Sequence, residues 1–300
     1  MFKIKSSTIF NFINQTILIL IAIVLLYPLY FTVIASFSEP YDVVAGNVMF
    51  WFKGFTLDSY KDVFHNSDIW IGYRNGLTYT GLGTMLNLML TIPAAYALSK
   101  KTLWKRNWFT TYFVITMYFS GGLLPTYLQV KSLGLLNKPY TLIILGGISV
   151  YNMVVARTYF QNSIPESLYE AAEIDGCSQF GQFFKIALPL AKPIIAVITL
   201  YYAVGRWNDF FNSLVYISSP KYFSLQMVLR NILLESQVAL SQIDTSSMDS
   251  EQVAYMMQRA YRAEAMKYSI IFIASLPMLI IYPFVQKYFV KGVMVGSVKG

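Results

Sequence analysis

Glu170-Ala171-Ala172-Glu173-Ile174-Asp175-Gly176 places three carboxylates on a short alanine-bearing segment, and Ile186-Ala187-Leu188-Pro189 begins after nine further residues. The segment lies between two long apolar stretches and is too polar to enter lipid, so it must be a loop that meets something in water. Its chemistry is docking: Glu170, Glu173 and Asp175 offer acidic groups, while Ala171 and Ala172 leave a face flat enough for another protein to approach. A second concentration of polar groups, Arg206, Trp207, Asn208 and Asp209, flanked by Tyr201, Tyr202, Phe210 and Phe211, falls inside an apolar run. A lone charge near the centre of a bilayer costs on the order of 3 kcal/mol, so such residues pair or line an aqueous cavity. Arg206 and Asp209 are three residues apart and share a helical face, which lets them partly neutralise each other. A structural pair and a cavity lining both remain open at this point.

Bond-making chemistry has no such cluster. His65 is the only histidine and Cys177 the only cysteine, which excludes an internal disulfide and gives a metal no convincing ligand set. His65 reads as an exposed or hydrogen-bonded loop residue. No group of His, Asp, Glu or Cys converges on one span, so no catalytic residue is assigned. A phosphate-cradling loop needs a lysine at a fixed distance after its glycines, and neither Gly146-Gly147 nor any other glycine pair has one. Any ATP-driven step therefore belongs to a separate subunit.

The elements that position these groups follow from composition. Apolar residues make up 56% of the chain, aromatics 17% and charged residues 13%. The apolar residues fall in runs of about 20, the length needed to cross ~30 Å of hydrocarbon. The chain is expected to be an all-α integral membrane protein of six spans: Phe12–Phe37, Tyr73–Leu98, Trp108–Val130, Tyr140–Phe160, Leu190–Phe211 and Tyr268–Val290. The first run is too long for a signal peptide, contains Tyr27-Pro28, and reads as an uncleaved helix. The net charge of +8 does not point to nucleic acid, because the basic residues sit at the ends of apolar runs rather than in a cluster with exposed aromatics.

Those basic residues set the orientation. A cytoplasmic N-terminus puts Lys3, Lys5, Lys100, Lys101, Lys105, Arg106, Arg157, Lys185, Lys192, Lys287, Lys291 and Lys299 inside. The outer segment Ser38–Gly72 then carries Glu39, Asp42, Asp58, Asp62 and Asp68 against Lys53 and Lys61. Both termini are expected inside, with residues 161–189 as a cytoplasmic loop and residues 212–267 as an extracytoplasmic lobe of one permease-sized domain covering residues 1–300. Within the lobe, Leu225–Leu240 and Glu251–Tyr268 have helical periodicity, separated by a Ser- and Asp-rich loop from Ser241 to Ser250.

Residues 161–189 read as a helix-turn-helix lying along the membrane surface. Ser163-Ile164-Pro165-Glu166 is a helix start, with Pro near the first turn and an acid at the positive end of the dipole. Gly176 ends that helix because a left-handed cap is adopted easily only without a Cβ, and Gln179–Ala187 resumes it before Pro189. Gly121-Gly122 with Pro125 is expected to bend the third span. Tyr118 on the third span and Tyr151 on the fourth are candidates to line a pathway, although tyrosines near span ends also serve as interface anchors.

The spacing Glu-Ala-Ala, three residues, Gly, nine residues, Ile-x-Leu-Pro resembles the cytoplasmic signature of ABC importer permeases. The Trp207-Asn208-Asp209 triplet is similar to the equivalent span of sugar-importing members. The tail from Lys287 to Gly300, with Lys291-Gly292-Val293-Met294, is similar to that of MalG-like permeases in the LplC/YtcP-like branch associated with oligosaccharide uptake. That resemblance implies a type I importer permease fold in which Glu170, Ala171, Ala172, Asp175, Gly176, Ile186, Leu188 and Pro189 form a coupling helix docked on an ATPase. It implies that Tyr201, Tyr202, Trp207, Asn208 and Asp209, with Tyr118 and Tyr151, face the substrate pathway. The implied partners are a second permease subunit, an ATPase dimer carrying ATP and Mg, a solute-binding protein, an oligosaccharide and membrane lipid. Gly292, Gly296 and Gly300 would make the tail a flexible extension. Of the rival readings, a secondary transporter lacks intramembrane carboxylates beyond Asp209, whereas a permease of the same class for amino acids or anions needs a more basic cavity.

Overall fold

The computed structural model describes residues 6–241 and 250–297, and every regular element among them is helical. In chain order the helices are α1 (Ser6–Ser36), α2 (Pro40–Val44), α3 (Asp58–His65), α4 (Ser67–Ser99), α5 (Arg106–Tyr118), α6 (Leu123–Ser132), α7 (Pro139–Ile144) and α8 (Val150–Asn162). They continue as α9 (Glu166–Ile174), α10 (Gln179–Gln182), α11 (Leu188–Leu190), α12 (Lys192–Trp207), α13 (Phe211–Tyr216), α14 (Leu225–Ser241) and α15 (Ser250–Ser297). A π-helical turn, Phe183–Ala187, joins α10 to α11.

Among the described residues, three of the six expected spans are continuous. Phe10–Ser36 in α1, Ser67–Ser99 in α4 and Ala254–Pro283 in α15 are long and apolar enough to cross a membrane. Helix α1 exposes apolar residues on every side from Phe10 to Leu29, as a helix surrounded by hydrocarbon does. The fifth expected span is α12, bent by 78° from the preceding Gln179–Leu190 segment.

The third and fourth spans are interrupted. Helix α5 stops at Tyr118, and Gly122 adopts φ +83° before α6 begins. Pro125 lies in the first turn of α6, where no N–H is needed. The bend expected at Gly121-Gly122 is thus a complete break. Between α7 and α8 the chain turns through Gly146 at φ +68°. Interrupted backbone at membrane depth is tolerated only where its polar groups find partners within the protein. Asn87 of α4 supplies them, its amide donating to the carbonyls of Gly146 at 2.7 Å and Gly147 at 2.8 Å.

The chain divides into two compact units, Met1–Ile69 with Leu229–Leu276, and Trp70–Val228 with Pro277–Gly300. In the first, Ile34, Ala35, Val43 and Val48 form a small core against which Phe31 and Tyr268 pack, their rings edge to face at 5.6 Å. His65 closes α3 with Nδ1 2.7 Å from the Lys61 carbonyl oxygen, as a hydrogen-bonded surface residue. The second unit holds the main core, which joins α4 (Ile92, Ala95, Tyr96), α8 (Met153, Ala156, Phe160), the π-turn (Phe183, Ala187) and α12 (Ile198, Tyr202). Ala95, Ala156, Ala187 and Ala191 are fully buried, and these small residues let the helices approach closely.

Two expectations are corrected at the C-terminal end. The periodic stretch Glu251–Tyr268 and the sixth span Tyr268–Val290 are one helix, α15, rather than two elements. The tail is helical to Ser297 instead of extended. Single glycines at 292 and 296 cost about 1 kcal/mol each inside a helix, too little to end one that is otherwise apolar. Lys3, Lys5, Lys299, Gly300 and most of the Ser241–Ser250 loop lie outside the described residues.

Candidate functional site

Two sites emerge, both in the second unit: the surface segment from α9 to α11, and a cavity beside α12.

Pro165 is the N-cap of α9 and Glu166 opens its first turn, so the predicted start is the observed one. Gly176 has φ +75°. The N–H of Cys177 donates to the Ala172 carbonyl at 2.8 Å and that of Gly176 to the Glu173 carbonyl at 3.0 Å, the paired bonds of a Schellman cap. Nothing stands within 4 Å of where a Cβ would be at Gly176, so the backbone conformation alone demands glycine. Ser178 then caps α10, its hydroxyl accepting from the N–H of Gly181 at 3.2 Å.

The helix continues past Pro189 to Leu190. The sequence suggests a stop before this proline; the structure instead widens the preceding turn, with the Leu188 N–H reaching back to the Phe183 carbonyl. Proline thereby follows a π-turn, where the regular ladder is already relaxed.

The segment has two faces. Glu170, Ala171, Asp175 and Gly176 are exposed, and Ile174 and Phe180 stand out at 87% and 78% exposure. Ala172 turns inward at 9% exposure, so the flat outer face consists of Ala171 without its neighbour. Ala187 is fully buried, Ile186 and Leu188 are half-buried, and Pro189 is exposed. The second half of the motif therefore anchors the segment to the core, while the first half presents it. Ile174 and Phe180 escape a reading based on charge; an apolar residue of this size left bare beside carboxylates is the signal that finds them.

The inner face rests on the turn after α4. Lys100 Nζ sits 3.0 Å from the centre of the Tyr169 ring and 5.0 Å from that of Tyr96. Burial pulls the Lys100 ammonium down to about 8, against the opposing pull of Glu166 and Glu173. Burial likewise pushes the Tyr169 hydroxyl up to about 12, with Tyr96 adding to it. Lys101 pairs with Glu166 at 2.5 Å, and that hydrogen bond, followed by the lysine's charge, lowers the Glu166 carboxyl.

The second site is an open cavity of about 290 Å³ lined by residues that include Ser149, Asn152, Tyr201, Tyr202, Asp209 and Asn212. Of the pathway candidates, it gathers Tyr201, Tyr202 and Asp209. Tyr202 spends its hydroxyl on structure, 2.7 Å from the Thr91 hydroxyl and accepting from the Ser149 N–H at 2.9 Å. Trp207 is only 3% exposed and packs edge to face on Tyr73 at 5.6 Å, so it belongs to the core rather than the cavity wall. Asn208 donates to the Val204 carbonyl of its own helix at 2.9 Å. Tyr118 and Tyr151 are exposed elsewhere on the unit and do not line the cavity.

Arg206 and Asp209 form no ion pair among the described residues, contrary to the expectation from their spacing. Arg206 donates through Nε to Asn87 Oδ1 at 3.1 Å and through its terminal nitrogens to the carbonyls of Leu142 at 2.5 Å and Gly146 at 3.4 Å. Asp209 instead accepts from the backbone N–H and side-chain amide of Asn212 at 3.0 and 2.6 Å. The carbonyls freed where α7 ends compete better for a planar donor than a carboxylate that can cap α13. Asn152, absent from the sequence-based candidates, is 6% exposed and lines the cavity, and its backbone N–H donates to the Ser149 hydroxyl at 3.4 Å. An amide at a cavity wall offers both a donor and an acceptor to what enters the cavity. Its signal in the sequence is the one that marks Asn208, a polar residue within an apolar run.

Comparison with known proteins accords with this geometry. Residues 69–295 match the family model for the binding-protein-dependent transport system inner membrane component. The chain is 38% identical over 301 residues to Protein LplC of Bacillus subtilis, covering 100% of this chain and 98% of that protein. It is 36% identical to the polygalacturonan/rhamnogalacturonan transport system permease protein YtcP of the same organism, covering 97% and 99%. A chain in the crystal structure of a bacterial ABC transporter involved in the import of the acidic polysaccharide alginate superposes with a TM-score of 0.83 at 31% identity, covering 96% of this chain and 99% of that one. The protein is a multi-pass membrane permease, a member of the family of binding-protein-dependent transport system inner membrane components.

Proposed function

We propose that this chain is half of the translocation pore of an ATP-driven importer, moving an oligosaccharide delivered by a solute-binding protein. A second permease subunit supplies the other half. Two ATPase subunits bind ATP and Mg and dock on the coupling segments. The observation that carries this reading is the face of α9 and α10, where Glu170, Ala171 and Asp175 surround the bare side chains of Ile174 and Phe180 on a rigidly capped helix pair. Apolar anchors rimmed by charges are what a protein interface requires.

Closure of the ATPase pair draws the two coupling segments together and turns the cavity outward; release of ADP and phosphate resets it. Both termini and the Glu170 segment lie in the cytoplasm, and residues 212–267 face outward to meet the binding protein. The cavity beside α12 suits a hydroxyl-rich ligand, with the Asn152 amide and Ser149 hydroxyl as hydrogen-bonding groups and the half-exposed Tyr201 ring as a stacking surface. The names of the similar YtcP permease and the alginate transporter support a saccharide as cargo.

The test is ATP hydrolysis by the reconstituted assembly, stimulated by binding protein loaded from a panel of neutral and acidic oligosaccharides and amino acids. Stimulation by an oligosaccharide is expected. Stimulation by amino acids alone would overturn the cargo assignment.

A further inference from the structure

Helix α9 is continuous in the chain with α8 and, through α10, with α12, but it meets α4 only through side chains. Two of these side chains leave the turn directly after α4. Lys100 lies against the ring of Tyr169 at 3.0 Å and donates to Gln182 Oε1 at 3.5 Å. Lys101 reaches Glu166. Beside them a cavity of about 520 Å³ opens, lined on one wall by Lys100, Lys101 and Arg106 and on the other by Glu166, Glu170 and Glu173. A further direct contact of α9 with α4 is the Tyr169 ring against that of Tyr96, their centres 6.2 Å apart.

The inner end of α4 is itself held firmly. Arg157 of α8 donates to the Leu98 carbonyl at 2.9 Å, and Gln161 and Arg106 reach the Ser99 carbonyl at 3.4 Å each. Farther along, α4 carries Asn87, which holds both Arg206 and the Gly146-Gly147 break. Gly146 and Arg206 line the 290 Å³ cavity. A displacement of α4 therefore changes the wall of that cavity.

We propose that Lys100, seated on Tyr169, is a positioning residue that transmits the displacement of α9 to α4 and so to the cavity wall. The proposal rests on α9 being the ATPase-docking helix. Lys101 and Glu166 form a second, weaker link, because both are exposed and solvent screens them. The Lys100 contact is the stronger one, since its ammonium is partly buried between the Tyr169 and Tyr96 rings and a cation on an aromatic face gains as it is withdrawn from water.

The full assembly, reconstituted with its binding protein and oligosaccharide, tests this through the amount of cargo moved per ATP hydrolysed. Lys100→Met keeps the apolar stem and removes the charge; Tyr169→Leu keeps an apolar contact and removes the ring. Each variant is expected to retain ATPase recovery and hydrolysis while cargo per ATP falls about fivefold, the scale of one cation–ring contact. Lys100→Arg, whose guanidinium stacks on the same ring, restores the ratio, and the double variant is no worse than either single one. A constant ratio in Lys100→Met, or additive losses in the double variant, would overturn the proposal.

A readout that needs no cargo separates this from failure of the transport reading itself. Spin labels at Thr102→Cys and Ser167→Cys in a Cys177→Ser background report the distance between the α4 turn and α9. That distance should stay fixed between the nucleotide-free and ADP-vanadate-trapped assemblies in the presence of Lys100, and should change on trapping in Lys100→Met. A distance that already changes with Lys100 present sinks the link. If no ATPase associates at all, the transport reading fails and takes the proposal with it.

Discussion

Arg206 Nε donates to Asn87 Oδ1 at 3.1 Å, joining a cation on α12 to an amide on α4 that itself holds the broken turn between α7 and α8. The bond explains a charged residue in a span that forms no ion pair among the described residues. The carbonyls of Leu142, Gly146 and Gly147 around the break are satisfied by the side chains of Asn87 and Arg206. Gly83 allows the arrangement, because a Cβ there would come within 3.0 Å of Arg206 Nε.

Arg206→Leu should therefore destabilise the protein by roughly 3 kcal/mol, leaving acceptors buried and unpaired. Thermal unfolding of the detergent-purified protein measures this, and Arg206→Lys should recover part of the loss. If Arg206→Asn and Asp209→Asn lower stability equally and non-additively, the two residues act as an ion pair after all.

The cavity makes a contrasting pair of predictions. Asn152→Leu should lower uptake about tenfold, the worth of one hydrogen bond to cargo, with assembly unaffected. Trp207→Ala should lower stability by about 3–5 kcal/mol, the cost of emptying a packed aromatic site. Uptake and thermal melting of both variants decide which residue faces cargo and which supports the core.

Much of the architecture is legible in the sequence because lipid imposes simple rules. Length and hydropathy place α1, α4 and α12, and Pro165 and Gly176 mark the ends of α9. The interruptions are harder to read. Gly146-Gly147 breaks its span only because Asn87, almost sixty residues earlier in the chain, supplies donors, and no local pattern reports such a pairing. The same gap accounts for Arg206 and Asp209, whose spacing suits an ion pair until the freed carbonyls enter. Burial of Trp207 against Tyr73 and of Ala172 against the core depends on tertiary packing in the same way.

Coupling should depend on pH near 8. Lys100 titrates there because burial disfavours its charge, while Glu166 and Glu173 on α9 favour it. Tyr169 remains neutral, held up at about 12, and Tyr96, Lys101, Arg106 and Glu170 complete the titratable and charged surroundings. The folded-state pKa lies below the ordinary lysine value of 10.5, so the unfolded chain binds the extra proton between these values and stability rises with pH across that window. Loss of the charge also removes the contact with Tyr169, so cargo moved per ATP should fall as pH rises through 8. Lys100→Arg should abolish that dependence, and an unchanged profile would remove Lys100 as its source.

Topology has its own check in the single cysteine. A membrane-impermeant thiol reagent applied to intact cells should leave Cys177 unlabelled, whereas Cys177→Ser carrying Asp62→Cys should label readily. The reverse pattern would place α9 outside.

The central claim is that the exposed face of α9 and α10 receives the ATPase, and co-purification of the ATPase subunits with docking-face variants tests it most directly. Glu170→Lys and the double variant Ile174→Ser with Phe180→Ser should insert and melt like the wild type, because these side chains are exposed, yet recover little ATPase and support no uptake. Gly176→Ala, strained by about 1–2 kcal/mol at its left-handed cap, should fall between. Full ATPase recovery and normal uptake in Glu170→Lys and in the double variant would contradict the account.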